Sequence, residues 1–378
     1  MRTEPPVPAD ALAEIRAALA GGAEPVDAPI LQPLGLLLDL AGEAMRARLF
    51  LVQAEGGAEA CLRPDFTVAV ASRHLAGGAP SGRYFYEGPA FRASPGTAEP
   101  EEFLQMGVEL FTPVTVPPVT DDAQIPCAAW LACEAGGRQD LTLWLGDVGL
   151  FAAFIAALDL APALAARLTR VAGRPRLLHA ELDRAGQPPR DAGNGAGQLA
   201  AMLSGLSEPA AAAMLEEVWA LAGVEPVGGR RPAEIAARLV RRAEAAAAPA
   251  LTEVQARAIA DFMAISGAPK AGLDRVRALA GGRDKALEAA LDLWESRLAH
   301  LQGTAPIERM RFAPALGHAF DYYDGLTFEI RSTALGPERP VAVGGRYDGL
   351  LARLGGGASA RAVGCMVRPW RAFAGGEA

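Results

Sequence analysis

A long helical segment that interrupts two β-rich regions constrains the fold of this chain more than any other feature. From about residue 151 to 300, Ala, Leu and Arg dominate with helical periodicity, and Pro and Gly breaks divide the segment. Stretches rich in aromatic and β-branched residues precede and follow it. We therefore expect one core unit formed by residues 1–160 and 301–378, with residues 161–300 as a helical insertion.

Strand and helix patterns in the β-rich regions occur in blocks and hairpins, without regular βαβ alternation. Residues 9–20 predict an amphipathic helix, and ARLFLVQ with EACLRPD predicts a hairpin. RYFYEGPAFRA and EFLQMGVELFT predict two strands joined by the polar loop SPGTAEPE, and strands return after residue 310. The expected fold is α+β, with an antiparallel sheet flanked by helices.

The charge of the chain argues against a nucleic-acid partner. Its 44 Asp and Glu outnumber its 36 Lys and Arg, which gives a net charge of −8. Proteins that grip a phosphate backbone usually present a basic face, because neutralised phosphates supply most of the affinity. We therefore expect no nucleic-acid binding.

Cysteine spacing and hydropathy exclude a metal site and a membrane span. The four cysteines form no C-x-x-C pair, and no histidine lies at ligand spacing from them, so they are expected to be small buried residues. No apolar run reaches the roughly 18 residues that span a bilayer. The acidic, proline-rich N-terminus lacks the pattern of a signal peptide, so we expect a cytoplasmic location without membrane attachment.

Polar residues on predicted strands are the candidates for a binding site. Gln105 and Glu109 lie four residues apart on one strand and therefore face the same side of the sheet. Further polar residues lie at the ends of strands or follow them, namely Asp65, Thr67, Arg92, Asp321, Tyr322 and Tyr323. Such a set indicates a polar ligand held above a sheet. From the residues alone, a half-exposed sheet with polar residues facing solvent is the alternative.

Five motifs carry a resemblance to a known family. They are CLRPDFT, FYEGPAFR, FLQMGVELF, FDYYDGLTFE and VGGRYDGLLARLGG, and the matching pieces extend from about residue 25 to 371. In sequence and order they resemble histidyl-tRNA synthetase, a class II aminoacyl-tRNA synthetase. The resemblance implies a six-stranded antiparallel sheet flanked by helices, a helical insertion, and a homodimer formed through the region similar to residues 25–45.

The resemblance also implies a histidine-binding pocket. The family holds the α-amino group with the acid and threonine of an LRPEGT motif, which here reads LRPDFT and supplies Asp65 and Thr67. Glu109 matches the glutamate that accepts a hydrogen bond from the imidazole, and Gln105 matches the glutamine that helps hold the backbone end. The remaining implied histidine-binding residues are Arg92, Tyr322, Tyr323 and Tyr347.

The ATP half of the family's site is not matched. Ser94 stands where the second motif has the glutamate that recognises adenine, and the loop after it lacks the family's arginines. His318 stands where the family has a catalytic arginine, and Arg371 matches the ATP-binding arginine of the third motif. The chain ends soon afterwards, so no anticodon-binding domain is expected. We expect no catalytic residue, no cofactor and no metal.

This combination resembles the synthetase paralogues that serve as regulatory subunits of ATP phosphoribosyltransferase. It implies a non-catalytic subunit that joins a short-form catalytic subunit in a hetero-oligomer, acts in the first step of histidine biosynthesis, is required for activity, and mediates feedback by L-histidine. The alternatives are an enzyme that activates histidine for a non-tRNA acceptor and a histidine sensor for another partner. Ser94, the following loop and His318 argue against the enzyme.

Overall fold

The chain divides into two compact units. A computed structural model describes residues 2–41, 43–53, 57, 59–94, 96–172, 175–187, 202, 206–222, 250–281, 284–317, 322–356 and 360–376. The first unit comprises Met1–Ala153 and Phe262–Ala378, and the second comprises Phe154–Asp261. The second unit thus ends at Asp261, whereas the sequence assigned residues up to 300 to the insertion.

The described strands of the first unit range from 2 to 12 residues in length. In chain order they are β1 (Glu24–Pro25), β2 (Leu31–Pro33), β3 (Leu51–Gln53), β4 (Glu59–Leu62), β5 (Gly82–Phe91), β6 (Glu102–Pro113), β7 (Leu141–Asp147), β8 (Met310–Phe312), β9 (Leu326–Ser332), β10 (Ala342–Arg346) and β11 (Ala360–Val367). The β5–β6 pair and the β3–β4 hairpin are antiparallel, as predicted.

Within the described residues, eight strands form the main sheet, in the order β1-β5-β6-β11-β10-β9-β7-β8. Neighbours from β5 to β7 in this order pair antiparallel, which confirms the predicted antiparallel sheet. The short strands β1 and β8 add a parallel pair at each edge. Parallel pairing requires a long connection, and both edge strands have one. The strands β2, β4 and β3 form a separate small sheet.

Helices cover the main sheet and build the second unit. They are α1 (Ala9–Ala20), α2 (Leu34–Ala41), α3 (Thr67–Gly77), α4 (Pro118–Ala135), α5 (Val148–Ala157), α6 (Pro162–Val171), α7 (Pro175–Leu182), α8 (Glu208–Ala222), α9 (Glu253–Met263), α10 (Pro269–Leu279), α11 (Lys285–Leu301), α12 (Asp348–Leu351) and α13 (Pro369–Ala372). Helix α4 packs against β9, β10 and β11 and against α1. No described helix has the length and apolarity needed to cross a membrane.

Helix α1 illustrates how the sequence sets an element's bounds. Its buried face is formed by Ile15 and Leu19, which are one helical turn apart. Gly21 follows the last residue with a φ of 50°, in the left-handed region that ends many helices. The helix predicted over 9–20 is therefore confirmed.

A buried network of ion pairs joins α4, α11, β7 and β10. The Asp122 carboxylate accepts hydrogen bonds from Arg297 Nε at 2.7 Å and from Arg346 Nε at 2.8 Å. Arg297 Nη1 also donates to Asp147 Oδ2 at 2.7 Å, and Trp294 Nε1 donates to the same oxygen at 2.8 Å. These contacts explain why residues 262–300 belong to the first unit, since α11 is held there by its own charged side chain.

We expect Arg297→Met to destabilise the protein by about 3 kcal/mol, because it leaves two buried carboxylates short of a partner. Arg277→Met is the matched control, since Arg277 forms ion pairs with Glu288 and Glu295 but is 36% exposed. It should cost less than about 1 kcal/mol. Urea unfolding measures both changes, and equal losses would contradict a special role for the buried network.

Candidate functional site

One cavity of about 570 Å³ collects all the predicted histidine-binding residues. Its wall includes side chains from β6, β9, β10 and β11, and from segments that follow β4 and β5. The predicted residues that line it are Asp65, Thr67, Arg92, Gln105, Glu109, Tyr322, Tyr323 and Tyr347. The sheet thus brings distant parts of the chain to one site, whereas His318 and Asp321 lie outside the described residues.

Glu109 is the buried acid at one end of the cavity. Thr67 Oγ1 donates a hydrogen bond to its Oε1 at 2.7 Å, and the Tyr347 hydroxyl donates to its Oε2. Burial raises the pKa of Glu109 to about 8, and the two hydrogen bonds oppose that rise. Among the described residues, no arginine, lysine or histidine side chain forms an ion pair with the Glu109 carboxylate.

Three tyrosines enclose this acid. The ring centroids of Tyr322 and Tyr323 lie 4.9 Å apart, and those of Tyr322 and Tyr347 lie 5.8 Å apart at 75°. Burial raises the pKa of each phenol, so all three remain neutral hydrogen-bonding groups. The result is a low-dielectric end of the cavity in which a carboxyl group faces aromatic walls.

Asp65 supplies a second acid with an unused acceptor. It is 7% exposed, and its Oδ1 is buried without a hydrogen-bond partner among the described residues. Burial raises its pKa, while the charge of Arg92 lowers it. A buried acceptor without a donor is costly, so a ligand N–H at this position would be stabilising.

Phe66, where the family has glycine, points away from the cavity. It is fully buried, stacks on Tyr86 with centroids 4.4 Å apart, and lies beneath the Arg63 guanidinium at 4.0 Å. It is not among the lining residues, so its bulk occupies the core and leaves the cavity open.

Arg92 and Gln105 stand together in the cavity wall. Arg92 Nε donates to the Pro64 carbonyl oxygen at 2.8 Å, and its Nη2 lies 3.5 Å from Gln105 Oε1. Gln105 Nε2 in turn donates to the Tyr86 hydroxyl at 3.3 Å. This chain of hydrogen bonds fixes a guanidinium and an amide on the same wall as the two acids.

Glycines make room for these side chains. Gly364 pairs with Glu109 across β11 and β6, and a Cβ there would overlap Glu109 Oε2. A Cβ at Gly345 would lie 2.7 Å from the Tyr323 ring. Gly364 is not among the predicted site residues. An isolated glycine within the strand pattern RAVGCMV nevertheless indicates that another group approaches the backbone closely at that position.

At the other end of the cavity, arginine side chains form ion pairs with carboxylates of the chain itself. Arg371, matched to the family's ATP-binding arginine, pairs with Glu99 at 2.5 Å, and Arg339 pairs with the same carboxylate at 3.1 Å. Arg368 pairs with Glu4 at 2.5 Å, and the side chains of this pair are 5% and 4% exposed.

The N-terminal residues hold this arrangement in place. Arg2 Nη2 donates to the Ser94 carbonyl oxygen and its Nε to that of Glu99, both at 3.0 Å. Glu4 N donates to the Glu102 carbonyl oxygen at 3.0 Å. The segment before α1 therefore runs beside the start of β6 and ties down the loop that follows Ser94.

Of the buried cysteines, Cys365 lies in the lining of the cavity. Cys61, Cys133 and Cys365 are buried, and burial raises the pKa of Cys61 to about 11. The described residues contain no group of His, Cys, Asp and Glu able to hold a metal ion.

Comparison with known proteins shows which family the chain belongs to. The family model described as histidyl-tRNA synthetase matches residues 11–214 and 230–369. Among solved structures, an ATP phosphoribosyltransferase regulatory subunit/histidyl-tRNA synthetase from Bacillus halodurans superposes with a TM-score of 0.64 at 19% identity, covering 96% of this chain and 77% of that one. A histidine–tRNA ligase subunit from Alicyclobacillus acidocaldarius gives 0.60 at 19% identity, covering 98% and 94%.

Curated relatives are more similar in sequence. The ATP phosphoribosyltransferase regulatory subunit of Mesorhizobium japonicum is 36% identical over 350 residues, which is 90% of each chain. The proteins of the same name from Chelativorans sp. and Brucella anthropi are each 33% identical, over 87% and 91% of each chain respectively. The chain therefore belongs to the family of ATP phosphoribosyltransferase regulatory subunits, and it carries the fold of a histidyl-tRNA synthetase core.

Proposed function

We propose that this chain is a non-catalytic subunit that senses L-histidine and is required for the activity of a short-form ATP phosphoribosyltransferase catalytic subunit. It acts in the cytoplasm, in the first step of histidine biosynthesis. The observation that carries the proposal is one cavity with two acids and an arginine arranged for an amino acid, beside arginines already paired with the chain's own carboxylates.

The cavity matches the three polar parts of histidine. Glu109 accepts the imidazole N–H, in an environment where burial and aromatic walls strengthen the bond. Asp65, with its unpaired Oδ1, and Thr67 receive the α-ammonium group. Arg92 and Gln105 receive the carboxylate, and Tyr322, Tyr323 and Tyr347 enclose the ring.

The same cavity is unsuited to activation of an amino acid by ATP. That reaction needs positive groups directed at the phosphates, and the loss of one such group typically costs about 10²–10³ in rate. Here Glu99 neutralises Arg371 and Glu4 neutralises Arg368, while Ser94 cannot replace the carboxylate that recognises adenine. These pairs support a role without catalysis.

Feedback requires histidine to distinguish two states of the complex. A ligand shifts an equilibrium only by its difference in affinity for the two states. We propose a homodimer of this chain within a hetero-oligomer, in which histidine favours the less active state. The acidic net charge of −8 accords with a protein partner and not with tRNA.

Co-purification tests the partnership. The full-length chain should form a stable complex with the short-form catalytic subunit, and that catalytic subunit should be inactive alone and active in the complex. Glu109→Gln should assemble and activate normally but relieve inhibition by histidine. Absence of a complex at micromolar concentrations would contradict the proposal.

Calorimetric titration tests the pocket. Glu109→Gln should weaken histidine binding about tenfold or more, because it removes the negative charge of the acceptor and replaces one carboxylate oxygen with a donating amide NH2. Tyr323→Phe should weaken it less. Glu338→Gln is the control, since this exposed carboxylate lines the same cavity away from the buried acids. Unchanged binding to the Glu109 variant would mean that histidine binds elsewhere.

Pyrophosphate–ATP exchange tests the absence of catalysis. The purified chain should show no histidine-dependent exchange above background, because Arg371, which matches the family's ATP-binding arginine, is already paired with Glu99. A bona fide histidyl-tRNA synthetase assayed in parallel serves as the positive control. Exchange that depends on histidine would instead support an aminoacyl-activating enzyme.

A further inference from the structure

A second guanidinium lines the cavity close to Arg92. Arg48 is the last residue of the 3₁₀ helix Glu43–Arg48, and it lines the same cavity as the predicted histidine-binding residues. Its carbonyl oxygen accepts a hydrogen bond from Ala93 N at 2.9 Å. Arg48 is therefore tied through the backbone to the residue that follows Arg92.

The side chain of Arg48 has no partner within the part of the chain that the structure describes. No hydrogen bond or ion pair to a carboxylate involves its guanidinium there. Arg46, two residues earlier on the same helix, has a carboxylate 3.9 Å away on Glu59. Arg48 is partly open to solvent, and desolvation together with the positive charge of Arg92 lowers its pKa.

The other arginines of the cavity differ from Arg48 in this respect. Arg331 pairs with Glu329 at 2.6 Å, Arg368 with Glu4 and Arg371 with Glu99. Arg92 bonds to a backbone carbonyl and to Gln105. Among the described residues, Arg48 is thus the arginine of the cavity lining whose guanidinium forms no ion pair or side-chain hydrogen bond.

We propose that Arg48 and Arg92 together receive the carboxylate of the amino acid held in the cavity, and that Arg48 selects for that carboxylate. This inference rests on the proposed histidine pocket and adds a residue to it. A carboxylate offers acceptor sites for two guanidinium groups and removes the repulsion between them. A ligand with the imidazole and the ammonium group but no carboxylate gains nothing from Arg48.

Paired ligands isolate this effect. Calorimetry on the full-length protein would compare L-histidine with histidinol, in which CH₂OH replaces the carboxylate. Arg48→Met should weaken histidine binding about tenfold, as expected for a lost charge-assisted hydrogen bond, and leave histidinol binding unchanged. Arg48→Lys should lose less, because it keeps the charge but not the fork geometry.

Arg46→Met is the matched control. It removes an arginine from the same 3₁₀ helix outside the cavity lining, and it should change neither affinity. Histidine binding that is unchanged in Arg48→Met, or binding of both ligands weakened equally, would overturn the carboxylate role while leaving the pocket in place. Failure of the unmodified protein to bind histidine would overturn the pocket itself and this inference with it.

Discussion

The Asp122 carboxylate, buried between two guanidiniums, is the interaction on which both the fold and the cavity depend. Through Arg297 it fixes α11 to α4, and through Arg346 it fixes the end of β10. Arg346 Nη1 also donates to Asp348 at 2.9 Å, so the residues on both sides of Tyr347 are held by charge. These ion pairs on either side of Tyr347 help to position its hydroxyl group, which donates a hydrogen bond to Glu109. A structural network of ion pairs thus supports a candidate ligand-binding group.

The two ends of the cavity differ in how their charged side chains are paired. At one end, Glu109 and Asp65 lie in an apolar, tyrosine-walled space, and Asp65 Oδ1 has no hydrogen-bond partner among the described residues, which favours a ligand that brings N–H donors. At the other end, the chain pairs buried arginines with its own carboxylates. A buried charge is costly unless it is paired, and Glu4 and Glu99 supply the paired charges at this second end.

Local patterns predicted much of this architecture. Period-two spacing put Gln105 and Glu109 on one face, and both line the cavity. Local pattern could not separate α11 from the helical insertion, because α11 has the same Ala- and Leu-rich helical composition as the segment before it, whereas the second compact unit ends at Asp261. Long-range contacts assign that helix to the first unit, among them the pair of Arg297 with Asp122, 175 residues away in sequence.

The pairing of charges could not be read from the sequence for a related reason. Glu4 and Arg368 are 364 residues apart, and Glu99 and Arg371 are 272 apart, so no spacing rule connects them. Arg48 likewise shows no pattern in sequence, and only the structure places it in the lining of the cavity with Arg92. Family resemblance identified the residues that match, and the structure identified those that have no counterpart in the family's motifs.

The carboxylates of Glu4 and Glu99 have a consequence for substitutions in this part of the chain. A Ser94→Glu substitution would leave Arg368 and Arg371 paired with Glu4 and Glu99. Loss of Glu4 or Glu99 would leave a buried arginine without that partner, at a cost in stability. Each ion pair therefore constrains its two residues jointly, so that a change of charge at one requires a compensating change at the other.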